Sequence, residues 1–315
     1  MAPLGAGKVG LFAAAGSGGA APVVAGYIAG GQTGSGTTSN VNKIAFADDS
    51  ISLLAQGYSY ALEGVAGVGN SGVAGYSGGG YLAVDYVDKW IFAGDTRVTL
   101  GNVMGIGHGQ CASMSNSGTA GYWGGGYGVS STKTAQVDKV DFSDDTWTVL
   151  ETGLSVALRM LAGMANSGTA GYVGGGYNPS TDNVDRFAFS DDTRTSYPTG
   201  LSANINALGA MANSGTAGYF CAGTPFATTI DKWTFATDTS VALGTGLDTG
   251  TQASTGMANS GTKGYICGGH DGSSYIDIIQ TVTFSDDSKD TLGITLASDC
   301  GWPAGFANEA ALGGP

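Results

Sequence analysis

Ala165-Asn166-Ser167-Gly168-Thr169-Ala170-Gly171-Tyr172-Val173-Gly174-Gly175-Gly176-Tyr177 is the stretch on which the reading of this chain turns. Its Gly-Tyr pair recurs at Gly26-Tyr27, Gly75-Tyr76, Gly121-Tyr122, Gly171-Tyr172, Gly218-Tyr219 and Gly264-Tyr265, at intervals of 49, 46, 50, 47 and 46 residues. A second motif follows each copy: NKIAFADDS from Asn42, DKWIFAGDT from Asp88, DKVDFSDDT from Asp138, DRFAFSDDT from Asp185, DKWTFATDT from Asp231 and QTVTFSDDS from Gln280. Two motifs held in phase through six copies identify one repeated supersecondary module. A single module cannot bury its apolar faces alone, so all six are expected to form one body.

The copy from Leu161 to Leu201 shows what a module contains. Leu161–Asn166 is a short apolar run. In Asn166-Ser167-Gly168-Thr169 the glycine and asparagine tolerate positive φ and the serine can bond local backbone, which predicts a turn. Ala170–Gly175 predicts a second strand led by Tyr172, its glycines marking a close approach of neighbouring backbone. Tyr177–Asp182 is a proline-containing loop. Asn183–Ser190 predicts a third strand carrying Val184, Phe187 and Phe189; Asp191-Asp192-Thr193 is a turn, and Arg194–Tyr197 a fourth strand. Short strands with turn signals every eight to twelve residues, repeated with a period near fifty, predict an all-β fold, a six-bladed β-propeller of four-stranded antiparallel blades.

The glycine runs at Gly78–Gly80, Gly124–Gly126, Gly174–Gly176 and Gly268-Gly269, with the later Val-Asp-x-x-x-Phe strand, resemble the kelch-type repeat over nearly the whole chain. Kelch repeats often open the fourth strand with tryptophan. Trp147 matches that pattern; Ile51, Arg97, Arg194, Ser240 and Lys289 stand at the other five places. In texture the repeats are also similar to glycine-rich propeller proteins of bacteriophages. The resemblance implies a particle-associated structural or adhesive role.

The first-strand apolar position runs Val68, Met114, Met164, Met211, Met257, and its phase continues to Phe306 in Gly305-Phe306-Ala307-Asn308. No Gly-Tyr pair follows Phe306, and Tyr27 has no well-spaced first strand before it. Ala304–Glu309 is therefore expected to supply the innermost strand of the first blade, which joins the two ends and removes open sheet edges. On this reading residues 20–315 form the propeller and residues 1–19 a tail that docks onto other proteins of the assembly, with Gly16–Gly19 as a flexible linker.

Composition narrows the functional classes. Glycine supplies 57 residues against 7 prolines, a turn-dense β composition, and no apolar stretch is long enough to span a membrane. A net charge of −13, with lysines set beside aspartates, argues against nucleic acid and anionic membrane as partners. Cys221 and Cys267 hold equivalent places in adjacent modules, too far apart to bridge, so all four cysteines are expected to be free and buried, as suits a reducing compartment. The apolar patch Val9–Ala15 is too short for a secretory signal. Synthesis in a host cytoplasm and display on a virion surface fit these features.

In a four-stranded blade the Asn-Ser-Gly and Asp-Asp-Thr turns lie on one face, nearly identical in every module. The opposite face carries loops that differ: Gln32–Asn40, Tyr81–Tyr86, Tyr127–Gln136, Tyr177–Asp182, Thr224–Thr229 and His270–Ile276. Distinct residues on a rigid scaffold are what recognition needs, which places ligand binding there. The position after each glycine run holds Gln32, Tyr81, Tyr127, Tyr177, Thr224 and His270, with Phe226 and Tyr275 nearby. Tyr81, Tyr127, Tyr177, Phe226, His270 and Tyr275 are the candidate ligand-binding residues, through stacking on sugars or on a protein partner. The competing reading packs the same rings against the next blade, over the glycines.

No catalytic residues, metal site or cofactor are expected. His108 and His270 both fall on the variable side and read as polar loop residues. No serine-nucleophile motif, phosphate-binding loop or CxxC is present. Aspartates in the repeated acidic turns read as turn formers rather than calcium ligands. A glycosidase needs two carboxylates converging in one cleft, for which Asp182, Asp185 and Asp271 stay open. The expected function is a non-enzymatic virion structural or adhesion protein that binds a host-surface glycan or protein. The rivals are a carbohydrate-active enzyme on the same face and an intracellular interaction scaffold.

Overall fold

A computed structural model describes residues 24–81, 84–128 and 132–309. The expected tail, residues 1–19, lies outside the described residues. The described chain forms six four-stranded antiparallel sheets, named here blades I to VI, each ordered from the axis outward. Blade I is Ala304–Asn308, Ala25–Ala29, Val41–Ala45 and Ile51–Leu53; blade II is Val65–Asn70, Ala74–Gly79, Tyr86–Ile91 and Thr96–Asn102. Blade III is Ala112–Asn116, Ala120–Gly124, Val137–Asp141 and Trp147–Val149; blade IV is Ala162–Asn166, Ala170–Gly174, Val184–Ala188 and Arg194–Tyr197. Blade V is Gly209–Asn213, Ala217–Cys221, Ile230–Thr234 and Thr239–Ala242; blade VI is Thr255–Asn259, Lys263–Cys267, Ile279–Thr283 and Lys289–Thr291. The C-terminal strand pairs Phe306 with Tyr27 and completes blade I, as the phase of the repeat predicts.

The Gly-Tyr pair works because successive side chains of a strand point to opposite faces. The glycine faces the preceding blade and the tyrosine the following one. A Cβ on Gly171 would lie 2.4 Å from Met114 Sδ of blade III, so the absent side chain makes room for that methionine. The same relation sets Gly218 against Met164 and Gly264 against Met211. Tyr172, on the other face, stacks on Phe235 of blade V and donates its hydroxyl proton to Asp238. All six tyrosines do this, with Tyr–Phe centroids 5.0–5.3 Å apart and hydroxyl–carboxylate distances of 2.6–2.9 Å.

The acceptors, Asp49, Asp95, Asp145, Asp192, Asp238 and Asp287, have φ between +50° and +61°. The acidic turns thus combine two roles where the sequence suggested one. Asp48, Asp144, Asp191 and Asp286 accept the N–H two residues on and shape the turn. The next acidic residue instead latches the preceding blade. In five junctions a third-strand cation completes the latch: Lys43, Lys89, Lys139 and Lys232 lie 2.7 Å, and Arg186 3.4 Å, from the carboxylate. At the closing junction Thr281 replaces that cation, and Lys263, where the other blades have alanine, reaches Asp49 at 2.8 Å from the neighbouring strand.

The Asn-Ser-Gly turn also differs from its expected local role. Ser71, Ser117, Ser167 and Ser214 each donate a backbone N–H to the serine hydroxyl oxygen of the next blade. Asn308, Asn70, Asn116, Asn166 and Asn213 accept from the glycine N–H of the next blade at 2.7–3.0 Å. Glu309 takes the sixth serine's place and donates its N–H to Ser71 Oγ. The motif therefore binds blades to one another around one end of the axis.

A second ring closes the other end. Gly64, Gln110, Met160, Ala207, Ala253 and Trp302 all have positive φ. Each donates its N–H to the carbonyl of the equivalent residue in the preceding blade, at 2.6–2.9 Å, and Gly64 donates to Trp302 O to complete the circle. Left-handed backbone at five non-glycine residues costs on the order of 1 kcal/mol each, held in place by the ring. Between the two rings runs a central channel of about 190 Å³ lined mainly by glycine, alanine and serine.

A buried third-strand residue ties each blade to the loop that leads into it. Asp88, Asp138, Asp185 and Asp231, with Asn42 and Gln280 in the same role, accept backbone N–H groups of Ser59, Gly105, Ser155, Ser202, Ala297 and Thr249 at 2.7–3.3 Å. All four cysteines are free and buried, and burial pushes the Cys111 and Cys300 thiols up to about 12.

Candidate ligand-binding face

Each residue after the glycine run is anchored beside the axis by its backbone. Gln32, Tyr81, Tyr127, Tyr177, Thr224 and His270 donate N–H groups to the carbonyls of Gly301, Glu63, Gly109, Arg159, Asn206 and Gln252, at 2.7–2.8 Å. Those carbonyls belong to the residues immediately before the backbone ring. The six side chains are thereby set around the channel mouth, on the face opposite the Asn-Ser-Gly turns.

The candidate residues fall into two groups. Over blades II to IV, Tyr81 and Tyr127 meet edge to face at 6.0 Å, and the Arg159 guanidinium lies between Tyr127 and Tyr177, 4.5 and 4.8 Å from their ring centres. Arg159 Nη1 donates to Gln110 Oε1 at 2.8 Å, which fixes the guanidinium from a third side. Over blades V and VI, His270 sits between Phe226, at 5.8 Å, and Tyr275, at 5.1 Å. The Gly272 N–H donates to His270 Nδ1, which leaves Nε2 as the N–H of the neutral ring.

These rings differ in exposure and packing. Tyr81, Tyr177 and Phe226 are 43%, 40% and 38% exposed, whereas Tyr127, His270 and Tyr275 are half-buried by their neighbours. Tyr275 packs over Gly301, and burial, then the nearby Glu63 charge, raises its hydroxyl above the usual tyrosine range. Burial likewise raises the Glu63 carboxyl.

The other polar candidates scatter. His108 is not a surface loop residue: it is fully buried between blades II and III. Its Nδ1 donates to Gly125 O at 2.7 Å, and its Nε2 faces Asp138 Oδ2 at 3.1 Å. Asp185 is buried and bound to Ser155 N–H, while the Asp182 carbonyl accepts from Gly200 and Leu201 in the blade IV loop. Asp271, in blade VI, is held below the usual carboxylate range by the N–H groups of Ser274 and Ser273. Among the described residues no group of three or more His, Cys, Asp or Glu is placed to hold a metal ion.

Arg159, Gln110 and Glu63 complete the mouth, and the sequence reading did not single them out. The signal lay in phase: residues 63, 109, 159, 206, 252 and 301 are equivalent, and only two of them are charged. No protein-family model and no curated protein matches the chain.

Proposed function

We propose that this propeller is a non-enzymatic binding module of a phage-type particle, contacting a host-surface glycan or protein through its variable-loop face. The observation that carries the reading is the set of exposed rings, Tyr81 and Tyr177, held beside the axis by their own backbone bonds, and Phe226, two residues after the anchored Thr224. The opposite face offers no comparable variety, because its asparagines, serines and aspartates are spent on blade-to-blade bonds and on local turn bonds. Rigid rings at fixed positions lose little entropy when they bind. Several copies on one particle supply avidity that a shallow face lacks. The kelch-like and phage-like texture of the repeats supports the same reading.

The test is a glycan array and a cell-binding assay, run with the monomer and with the intact particle, alongside localisation of the protein in purified particles. Binding that weakens at least tenfold in Tyr81→Ala or Tyr177→Ala is the expected result. Blank outcomes for monomer and particle alike would leave an architectural role. The enzyme alternative retains His270, Asp182 and Asp271 as its candidates and predicts polysaccharide cleavage that is lost when they are changed.

A further inference from the structure

The distribution of positive charge singles out one part of the variable face. The chain carries 12 lysines and arginines against 25 carboxylates. Lys43, Lys89, Lys139, Lys232, Lys263, Arg97 and Arg186 are tied to aspartates. Among the described residues Lys133, Arg159, Arg194 and Lys289 form no direct ion pair with a carboxylate. Arg194 donates to Gly153 O and Lys289 to Thr245 Oγ1. The other two lie together beside the tyrosines. Lys133 pairs with Tyr127 in a β-bridge and its Nζ donates to Asn178 O; Arg159 pairs with Tyr177 in another.

Arg159 is built to receive something. Tyr127, Tyr177 and Gln110 hold the guanidinium on three sides, and Nε and Nη2 have no hydrogen-bond acceptor among the described residues. A planar fork held in place, with donors unspent, matches a carboxylate. Tyr177 stacks on it, Tyr81 lies edge to face with Tyr127 beside it, and the exposed rings of Tyr81 and Tyr177 offer flat faces to a pyranose ring. A protein partner would anchor through an apolar side chain in a desolvated pocket. Neither the axial channel nor the polar hollow beside Thr33 and Asp299 is lined by these tyrosines.

From this we infer that the face over blades II to IV binds an acidic saccharide, with the carboxylate of a uronic-acid-type sugar on Arg159 and Lys133 and the sugar rings against Tyr81 and Tyr177. The inference rests on the proposed glycan-binding role and adds the chemical class of the ligand.

The test uses the full chain and three probes: polygalacturonate oligosaccharides, the same oligosaccharides methyl-esterified, and poly-glutamate of similar length. The free-acid saccharide is expected to bind at least tenfold more tightly than the ester and to weaken with added salt. Arg159→Met and Tyr81→Ala are each expected to reduce that binding at least tenfold, and Tyr81→Ala serves as the second variant should Arg159→Met unfold. Equal affinity for acid and ester would overturn the charge assignment while leaving glycan binding standing. Preference for poly-glutamate would replace the saccharide by an acidic peptide. No binding of the acid saccharide, with neutral glycans still bound on an array, overturns this inference alone; a blank array and blank cell binding remove the functional reading as well.

Discussion

At the scale of single residues, the tyrosine latch explains why the acidic turns repeat so strictly. Asp145 accepts from Tyr76 Oη and Lys89 Nζ at once, from a left-handed turn position that aspartate tolerates. The closing junction shows that chemistry rather than position is retained, since Lys263 serves where Thr281 cannot. Lys263→Ala should therefore lower stability by roughly 0.2–1 kcal/mol, as befits a partly exposed ion pair. Adding Thr281→Lys should restore most of it, read as the urea midpoint; no recovery in the double variant would mean the two positions are not interchangeable. Glu309 offers a second residue-scale test. Burial raises its carboxyl to about 7 from an ordinary 4.5. The folded state then holds a proton that the unfolded chain has released, so stability falls as pH rises from 4.5 to about 7. Glu309→Gln should flatten that part of the stability profile.

At the scale of the strand, the alternation along Ala170–Gly174 decides which blade each side chain meets. Gly171 accepts Met114 from the blade behind, and Tyr172 reaches Asp238 in the blade ahead. Gly171→Ala would drive a methyl group into Met114 and should cost about 1–3 kcal/mol through overpacking. Met114→Ala in the same chain should recover part of that loss if the clash is the cause, and thermal denaturation of the single and double variants measures it. The element boundaries were read closely from sequence: Arg194–Tyr197 agrees with its expectation, and the first three strands of blade IV are each shorter by one to three residues.

For the whole molecule, two hydrogen-bonded rings and a shared first blade make the circle one cooperative unit. Removing residues 304–315 would strip Ala25–Ala29 of its inner partner and break the backbone ring between Ala253 and Gly64 at the neighbouring Trp302. The shortened chain should lose the single sharp unfolding transition of the intact one, checked by comparing calorimetric with van't Hoff enthalpy. Alkaline pH tests the six latches together. Burial, then the adjacent aspartate, raises Tyr27, Tyr76, Tyr122, Tyr172, Tyr219 and Tyr265 above the usual tyrosine range. The unfolded chain ionises near ~10 while the folded chain does not, so stability should fall as pH climbs past ~10. The phenolate absorbance of these six should then appear together with unfolding rather than before it.

Blade number, strand order and ring closure were all legible in the spacing of Gly-Tyr, in the Asp-Asp-Thr turns and in the phase that carries Met257 on to Phe306. A repeat prints its period directly into the chain, and pairing within a blade is local. Contacts between blades were not legible, because they join residues some 46 to 70 positions apart, and 214 to 238 apart at the closing junction, that give no sign of their partners. The serine and asparagine of the Asn-Ser-Gly turn look like local turn formers until the next blade is beside them, and His108 looks like a loop residue until blade III encloses it. Arg159 becomes a fixed guanidinium through Tyr127, Tyr177 and Gln110, three side chains from different parts of the chain that meet where the ring of blades brings its inner loops around a common axis.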